Sequence, residues 1–513
     1  MSFTTRRLRE EEGSRGVSWT KTLRWLLVLH RPVLGWYRAW KERKEEDERH
    51  RVRLAILKRI AVILVSVLVV LLLLAGALHI LFTMKIVTMN TFLSVAATEL
   101  PADSRGYTNV LLLGKGDESH DGVDLTDTVM IASLDARRTK SALLLSLPRD
   151  LYLLSTEKMG EGRLNELYRN YKHRLKRDQD MTPEAASQEA LKELAREVSR
   201  TFQVDIHHVL MVDFIGFVKA VDAVGGLDID VPYDIVDVEY PGPNYSYQTF
   251  RIQKGLQHID GETALKYARS RHTTSDFGRS ARQQQMIATI GEKAKTLGII
   301  TSPGKLKTFW DILRDHTETT MSFSELLGAA KLGKEIDRAH ILTVQLSNGN
   351  GLFGEIVEPG GFLYNPPREE FAGASVLLPV SIPPLPVTWR QIRLLVRLLQ
   401  DQRALYLRKP EIRLLNGGAR SGLGQLLGNE LTRFNLQPAD ISNATDRSRQ
   451  TSFIFARGAE DIPDATVLAT LLHLPLQPAP ADILPEEKGA VTIVLGKDYE
   501  YRPLQEIIPL DNF

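Results

Sequence analysis

The feature that most constrains this chain is an apolar run of 25 residues from Ile60 to Met84, in which only small polar residues and His79 interrupt the hydrocarbon side chains. An α-helix of that length reaches across the roughly 30 Å hydrocarbon core of a bilayer. The run begins too far from the N-terminus and is too long for a secretory signal peptide. We therefore predict a transmembrane helix over residues 60–84 that the mature protein retains.

The charges on either side of this run predict its orientation. Residues 1–59 contain 16 Lys and Arg against 8 Asp and Glu. The basic residues nearest the run are Arg49, Arg51, Arg53, Lys58 and Arg59. Because basic residues close to a transmembrane helix stay in the cytoplasm, we expect a single-pass protein of the cytoplasmic membrane. Its basic tail, residues 1–59, would lie inside and the domains after residue 84 outside.

The length and composition of the remaining chain indicate folded domains. The 513 residues exceed the size at which a single core keeps growing, and 43% hydrophobic with 25% charged residues is ordinary globular composition. The chain has no cysteine. Disulfides, thiolate zinc sites and cysteine nucleophiles are therefore excluded, and any metal would bind to oxygen or imidazole.

Strand and helix patterns alternate through the middle of the chain. Strands are predicted at residues 109–113, 128–134, 141–147 and 226–231, and helices at 182–201, 213–223, 260–268, 279–297, 307–315 and 323–334. The first three strands are spaced closely enough to form hairpins, whereas the later elements interleave helices with strands. We therefore predict an α/β sandwich with a mixed central sheet over residues 100–376.

Proline marks a boundary in the C-terminal part. Pro379, Pro383, Pro384 and Pro386 fall within residues 378–387, which predicts a linker. We place the proline-rich linker and a following helix at residues 377–409. A smaller α/β domain is predicted over residues 410–500, beginning with a strand at 412–415 and ending with one at 490–495.

An arginine cluster is the most informative chemical feature. Arg269, Arg271, Arg279 and Arg282 fall within fourteen residues, and Gln283 shares a helical face with Arg279. Guanidinium groups repel one another unless an anion lies between them, and their planar forks match phosphate oxygens. The cluster therefore indicates a phosphate site. A solvated basic rim is the alternative interpretation.

Two carboxylates at predicted strand ends form a second constellation. Asp117 follows the first strand through a glycine-containing turn, and Asp127 precedes the second. Together they could hold one hard divalent cation, although aspartate is also common in turns and caps. Arg149, after the third strand, offers a further phosphate contact or an ion pair with Asp150.

Several other classes of site have no support in the sequence. No catalytic Ser-His-Asp order, glycine-rich nucleotide loop or His-x-x-x-His spacing stands out. No long basic tract with interleaved aromatic residues follows the apolar run, so we expect no nucleic-acid partner. His207, His208 and His272 are interpreted as surface residues.

With these residues identified, the stretch from about Asn109 to Gln285 resembles the LytR-CpsA-Psr family, membrane-anchored enzymes of bacterial cell-wall assembly. The resemblance rests on several blocks in the same order. They are Val-Leu-Leu-Leu-Gly114 with Asp117, Thr-Asp-Thr128, Ser-Leu-Pro-Arg-Asp150, Phe217 to Gly226, and Gly261 to His272 with the following Asp-Phe-Gly-Arg and Arg-Gln-Gln. Residues 411–500 resemble the C-terminal domain often attached to LytR proteins.

This resemblance implies an activity and a set of site residues. The activity is transfer of a glycopolymer from a polyprenyl pyrophosphate carrier to peptidoglycan or another wall acceptor. The family's metal positions fall on Asp117 and Asp127, where Mg²⁺, or Mn²⁺, is expected. Its pyrophosphate-binding positions fall on Arg149, Arg269, Arg271 and Arg279, with Gln283 beside them.

The chain departs from the family pattern in two places. Leu125 stands where many relatives carry arginine, and the block from Arg163 to Tyr168 differs from the usual Lys-Ile-Asn-Ala-Tyr, so the acceptor-side contacts are in question. Two alternatives from other classes remain open. One is a polyprenyl pyrophosphate hydrolase with water as nucleophile, and the other is a non-catalytic regulatory module that binds wall precursors.

Overall fold

The computed structural model describes residues 35–41, 43–44, 56–76, 98–116, 122–135, 137–242, 246–270, 276–299, 303–346, 348, 360–380, 388–483 and 489–508. The chain divides into two compact units, Met1–Thr88 and Met89–Phe513. We call them the N-terminal unit and the large unit.

The N-terminal unit contains a short helical segment over residues 35–41 (α1) and a long helix, Ile56–Gly76 (α2). An 18-residue window of α2 has a mean hydropathy of 2.8, and its side chains pack into no core within the described residues. Helix α2 is therefore long and apolar enough to span a membrane. It begins one turn before the predicted start at Ile60, and residues 77–84 of the predicted span lie outside the described residues.

The large unit alternates strands and helices along its whole length. Its strands are β1 (Tyr107–Lys115), β2 (Thr126–Asp135), β3 (Ser141–Leu147), β4 (Tyr152–Leu153), β5 (Gly162–Arg163), β6 (His208–Asp213), β7 (Leu227–Val231), β8 (Ile235–Pro241), β9 (Tyr247–Ile252), β10 (Gly255–Ile259), β11 (Thr317–Thr319), β12 (Ile341–Gln345), β13 (Leu363–Tyr364), β14 (Leu378–Pro379), β15 (Ile412–Asn416), β16 (Asp440–Asn443), β17 (Phe453–Ala456) and β18 (Val491–Leu495). Its helices are α3 (Leu164–Asp178), α4 (Pro183–Phe202), α5 (Phe214–Ala223), α6 (Gly261–Arg269), α7 (Asp276–Thr296), α8 (Pro303–Leu313), α9 (Phe323–Glu335), α10 (Arg390–Asp401), α11 (Arg403–Arg408), α12 (Leu423–Arg433), α13 (Ile462–Leu472) and α14 (Leu504–Ile507).

A six-stranded sheet in the order β11-β6-β1-β2-β3-β12 forms the centre of the large unit. Strands β1, β2 and β3 pair antiparallel, whereas β6 joins β1 and β12 joins β3 in parallel. The predicted mixed sheet is therefore confirmed. Every residue of β3 is buried, because helices cover both faces of the sheet.

The register brings several strand ends to one edge of this sheet. Lys115 at the end of β1 pairs with Thr126 at the start of β2 and with Asp213 at the end of β6. Strands β3 and β12 end at the same edge, where Gln345 pairs with Ser146. We call it the upper edge.

Alternate side chains of the sheet pack against different helices. Leu111 and Leu113 belong to a core cluster with residues of α3 and α4. Leu112 belongs to the opposite cluster, which includes Ile287 of α7, and Leu332 of α9 closes that face. The sheet lies between two layers of helices, so the predicted α/β sandwich is confirmed and has an α-β-α arrangement.

A side lobe extends from the central sheet. It consists of the pairs β7–β10 and β8–β9 with helices α5, α6 and α7, and it has its own hydrophobic cluster. Helix α6 begins as the sequence predicts, because the side chain of Asp260 accepts a hydrogen bond from the Thr263 amide at 2.8 Å.

The C-terminal part of the large unit contains a second sheet in the order β16-β15-β18-β17. Its core is continuous with that of the central sheet through α10, whose Leu394 and Leu398 are buried in the shared cluster. The helix predicted to follow the proline-rich linker is two helices, α10 and α11, which meet at Gln402.

A small hairpin joins the start of the predicted linker, which forms β14, to β13 earlier in the chain. Leu378 and Pro379 pair with Tyr364 and Leu363, and Leu377 forms a bridge to Leu151 beyond β3. The chain around residue 378 is therefore fixed to the central domain. Pro383, Pro384 and Pro386 lie outside the described residues.

Candidate active site

Asp127 lies at the upper edge as the second residue of β2. Its Oδ1 accepts hydrogen bonds from Arg149 Nη1 at 3.1 Å and from Asn165 Nδ2 at 3.2 Å. The carboxylate is 34% exposed, so it combines fixed geometry with access from solvent. Asp117, its predicted partner, lies outside the described residues.

Arg149 follows β3 by two residues, after Pro148. Proline gives the chain a fixed φ angle at that point, and Nη1 of Arg149 reaches Asp127 at the start of β2. The predicted ion pair with Asp150 also exists but is longer, at 3.6 Å. Arg163, in the block that departs from the family pattern, lies 3.8 Å from Asp150 and 2.6 Å from Glu166.

Arg279 lies in the first turns of α7 and is buried. Gln284 fixes this part of the helix, because its Nε2 donates to Leu144 O, Val344 O and Ser146 Oγ at 2.9–3.0 Å. Arg279 and Arg149 line one cavity of about 310 Å³ at the upper edge. Two of the predicted arginines thus converge from stretches 130 residues apart.

Arg269 ends α6 and lies against aromatic rings. Its guanidinium is 4.3 Å from the centre of the Phe214 ring and 5.7 Å from that of Tyr240. Phe214 directly follows β6, so Arg269 is held beside the upper edge. Burial raises the pKa of Tyr240 despite the opposing charge of Arg269, so the phenol stays neutral at physiological pH.

The remaining predicted residues lie around the α6–α7 connection. Gln283 Nε2 is 3.5 Å from Ala268 O at the end of α6. Arg271 lies outside the described residues. Whether it joins Arg149 and Arg279 therefore stays a prediction.

Two residues near this site were not among the site residues that the family resemblance implied. Asn165, buried in the first turn of α3, holds Asp127. Arg282 is buried and donates from Nε to Tyr267 O at 2.8 Å and from Nη2 to Ser270 O. The sequence offered one signal for each residue. Asn165 lies in the Arg163–Tyr168 block, and Arg282 is the fourth arginine of the cluster.

Charged residues also surround the start of the segment that carries Asp127. Asp124 Oδ1 lies 3.1 Å from Lys115 Nζ, and its Oδ2 lies 2.8 Å from Lys172 Nζ. Burial alone would raise the pKa of Asp124, but the hydrogen bond from Lys172 and the charge of Lys115 outweigh it and lower the pKa. Asp124 is therefore a fixed anion that ties α3 to the upper edge.

The described residues supply one carboxylate, Asp127, toward the expected magnesium site. Among the described residues no group of three or more histidine, aspartate or glutamate side chains could enclose a metal. Mg²⁺ commonly binds to one or two carboxylates and to the phosphate oxygens of a substrate. Asp127, which is partly exposed and paired with Arg149, could supply one such carboxylate. The other expected ligand, Asp117, lies outside the described residues, so the magnesium site stays a prediction.

Comparison with known proteins decides the family. The model of the LytR_cpsA_psr family matches residues 84–370, more than half of the chain. The chain belongs to this family. A second model, described as LytR cell envelope-related transcriptional attenuator, matches residues 409–499.

Two relatives of this chain are cell-wall proteins by name. LcpA, a cell wall biosynthesis protein of Corynebacterium glutamicum, is 28% identical over 286 residues, which cover 52% of this chain and 52% of LcpA. The polyisoprenyl-teichoic acid–peptidoglycan teichoic acid transferase TagV of Bacillus subtilis is 25% identical, covering 45% of this chain and 53% of TagV. The matches therefore span about half the length of these relatives.

Solved structures of the family are similar to the chain as well. The crystal structure of B. subtilis TagV has 22% identity and a TM-score of 0.39, covering 58% of this chain and 98% of TagV. A structure of TagT bound to LI-WTA has 18% identity and a TM-score of 0.38, covering 60% of this chain and 94% of TagT.

Proposed function

We propose that this protein transfers a glycopolymer from a polyprenyl pyrophosphate carrier to peptidoglycan or another wall acceptor. The observation that carries the proposal is the convergence of Arg149 and Arg279 on one cavity, with Asp127 paired to Arg149 beside it. Relatives named as teichoic acid transferases support the same reaction class. The anchor and the basic residues before it support a site outside the cytoplasmic membrane, where the lipid carrier would present its glycan.

The reaction is a substitution at phosphorus. A hydroxyl oxygen of the acceptor attacks the phosphorus that bears the glycan, and the bridging P–O bond breaks as polyprenyl phosphate leaves with the electron pair. The hydroxyl proton is released, and the phosphorus remains in a new phosphodiester between glycan and acceptor.

The protein's own residues would orient the diphosphate and stabilise its charge. Guanidinium groups of Arg149 and Arg279 donate to phosphate oxygens, and their positions are fixed before substrate binds by Asp127 and by the anchoring of α7 through Gln284. A Mg²⁺ ion on Asp127 and Asp117 would neutralise charge that develops on the same oxygens.

The test is turnover of a polyprenyl pyrophosphate-linked glycan by the full-length protein in detergent with Mg²⁺ and a wall acceptor. We expect Asp127→Asn and Arg279→Lys each to lower the rate by about 100-fold, the typical loss for one transition-state contact. Arg420→Ala is the matched control, because Arg420 is exposed on the smaller domain. Rates within threefold of wild type in both site variants would contradict the proposed site.

The products distinguish the transferase from its alternatives. Transfer gives a phosphodiester that joins the glycan to the acceptor. Release of glycan phosphate at the same rate with and without acceptor would instead identify a hydrolase, and tight binding with no product would identify a binding module.

A further inference from the structure

A groove lies at the edge of the central sheet that is opposite to the upper edge. Val209 in β6 and Thr320 after β11 line one side of it, and the second half of α4 lines the other. His207 also lines it, and its backbone amide donates to Asn109 O near the start of β1 at 2.9 Å. Lys115 at the upper edge is six residues further along β1, or roughly 20 Å away. We call this recess the α4–β6 groove, and it is separate from the candidate active site.

The α4–β6 groove is large enough for a ligand and has an apolar floor. Its volume of about 580 Å³ lies within the range of ligand pockets, roughly 300–1,000 Å³. Ala195 and Val209 on the floor are buried, and Ile206 is half-buried. The polar groups of the groove therefore stand around a dry base.

Two hydroxyl groups in the groove are oriented by the backbone. Ser199 Oγ accepts a hydrogen bond from the Ile206 amide at 3.0 Å, and Thr320 Oγ1 accepts one from the Val209 amide at 2.9 Å. Each hydroxyl keeps its proton to donate, because a backbone amide occupies one of its acceptor positions. Two O–H donors are thus fixed before a ligand binds.

The groove also offers an imidazole donor and a carboxylate acceptor. His207 Nδ1 accepts a hydrogen bond from the Asn109 amide at 3.0 Å, so the neutral ring carries its proton on Nε2. Asp205 is exposed at the rim and is the one acid among the described residues that line the groove. Its carboxylate can accept a hydrogen bond from a ligand hydroxyl.

Three cations stand in a row on the α4 side of the groove. Lys192, Arg196 and Arg200 recur every four residues and are exposed, so they follow one another at roughly 6 Å along the helix axis. Arg196 pairs with Glu193 and Arg200 with Glu197, and both glutamate side chains are 1% exposed. These pairs hold the guanidinium groups at the rim. Lys192 forms no ion pair with any residue that the structure describes, so its charge is available to a ligand.

Together these groups favour a phosphate-bearing chain that also carries hydroxyl groups. Cations and fixed O–H and N–H donors bind phosphate oxygens, whereas a carboxylate binds a hydroxyl. A row of cations matches successive phosphates better than a single anion. A bilayer surface would meet the exposed Lys192 and Arg196 but would not reach Ser199 and Thr320, which are only half-exposed inside the recess.

We infer that the α4–β6 groove binds a phosphodiester-linked polyol chain, the chemistry of an anionic wall polymer. Its phosphates lie on Lys192, Arg196 and the Ser199 hydroxyl, and a hydroxyl of the chain donates to Asp205. The inference goes beyond the proposed function, because the groove contains none of the reacting groups. Only the source of the polymer rests on that function.

Equilibrium binding to the full-length protein in a neutral detergent tests the groove without requiring turnover. The probes are a synthetic glycerol phosphate hexamer, the glycerol phosphate monomer and a short-chain phosphatidylglycerol. The double variant Lys192→Gln/Arg196→Gln removes two charges from the row. Arg177→Gln/Lys331→Gln is the matched control, because it removes the same two charges from exposed positions on other helices.

We expect wild type and control to bind the hexamer about 10-fold more tightly than the monomer, since only the hexamer spans the row. The double variant should weaken hexamer binding by about 10-fold, the loss expected for charge-assisted hydrogen bonds. Lys192→Gln alone should weaken it about threefold. This single variant keeps the Arg196–Glu193 pair, so its effect does not depend on exposing a buried glutamate.

A hexamer Kd within twofold of wild type in both the single and the double variant would overturn the groove. So would an equal loss in the control, which would show that net charge alone is responsible. Tighter binding of phosphatidylglycerol than of the hexamer, abolished in the double variant, would assign the groove to a lipid surface and overturn the polymer. Failure of the proposed function is a separate result, since it would appear as an absence of phosphodiester product from wild-type protein that still binds the hexamer.

Discussion

The carboxylate of Asp127 shows how one side chain depends on residues far away in sequence. Arg149, 22 residues later, and Asn165, 38 residues later, donate to the same oxygen. The start of β2 and the end of β3 bring Asp127 and Arg149 together, and the start of α3 brings Asn165 to them. The positions of Asp127 and Arg149 at the ends of strands followed from the sequence, because apolar runs bracket them.

Other residues of the site could not be chosen from the sequence. Arg282 is one of four clustered arginines, and nothing in a linear pattern distinguishes a guanidinium that faces a ligand from one that binds backbone carbonyls. The structure separates them, because Arg282 donates to Tyr267 O and Ser270 O while Arg279 lines the cavity. Asn165 was overlooked since α3 itself was not predicted.

Arg282 therefore has a predicted role as a positioning residue for the segment that carries Arg269 and Arg271. Arg282→Ala should weaken binding of farnesyl diphosphate by about 10-fold, because the carbonyls of Tyr267 and Ser270 lose their buried donor. Arg282→Lys should restore part of the binding, since an ammonium can reach one carbonyl. For both variants, the Kd of farnesyl diphosphate is measured at a temperature well below that of unfolding.

A purely structural role for Arg282 would give a different result. The lysine variant would then recover thermal stability and diphosphate binding in equal proportion. Equal Kd values for wild type and Arg282→Ala would rule out the positioning role.

At the level of elements, the central hairpins were predicted best. β1, β2 and β3 are long, apolar and closely spaced, and the structure has all three within two residues of their predicted starts. β6, β11 and β12 were not predicted, because a strand of three to six residues without clear alternation gives little periodic signal. Yet β6 and β12 make the sheet mixed and complete its upper edge.

The turn between β2 and β3 depends on one carboxylate. Asp135 accepts hydrogen bonds from the backbone amides of Arg137, Arg138 and Thr139 at 2.8–3.0 Å and from Thr139 Oγ1 at 2.7 Å. Burial tends to raise the pKa of Asp135, but these hydrogen bonds outweigh it and lower the pKa below the ordinary value of 3.8. The ionised form is thus the one that stabilises the turn.

This turn gives a pH-dependent prediction. Because the folded-state pKa is depressed, the stabilisation is complete above the unfolded-state value and is lost as the pH falls below about 4 through the folded-state value. Asp135→Ala should lower the free energy of unfolding at pH 7 by about 1–3 kcal/mol. Urea denaturation at pH 7 and pH 3 should show a smaller difference between wild type and variant at pH 3, and a constant difference would contradict the role of the charge.

At the scale of the molecule, the central sheet and the smaller domain share one core. Arg403 of α11 is buried at 1% exposure and donates from Nη1 to Ser133 O and from Nη2 to Ser133 Oγ, each at 2.9 Å. Tyr107 donates from its hydroxyl to Gln400 O at 2.6 Å, and its ring lies 4.3 Å from the Arg403 guanidinium. Burial lowers the pKa of Arg403 to about 10, so the side chain stays charged at neutral pH.

These contacts predict cooperative unfolding of the large unit. Wild type should show one calorimetric transition for the central sheet and the smaller domain, since a hydrophobic cluster and a buried cation join them. Arg403→Ala should destabilise by about 3–5 kcal/mol and separate the transition into two. The control Arg420→Ala, with an exposed side chain, should leave the single transition unchanged. A single transition in Arg403→Ala as well would show that other contacts join the central sheet to the smaller domain.

The β13–β14 hairpin, which completes the cavity, lies late in the sequence. The two arginines that line the cavity are at positions 149 and 279, whereas the rest of its lining includes Gln345, Asn365 and Leu377. During synthesis, a nascent protein that has emerged only as far as α7 would hold the arginines and Asp127 but no enclosed recess beside them. The cavity would thus be completed only after the ribosome has passed the hairpin, and a fragment cut off ahead of it would hold Arg149 and Arg279 without the enclosure.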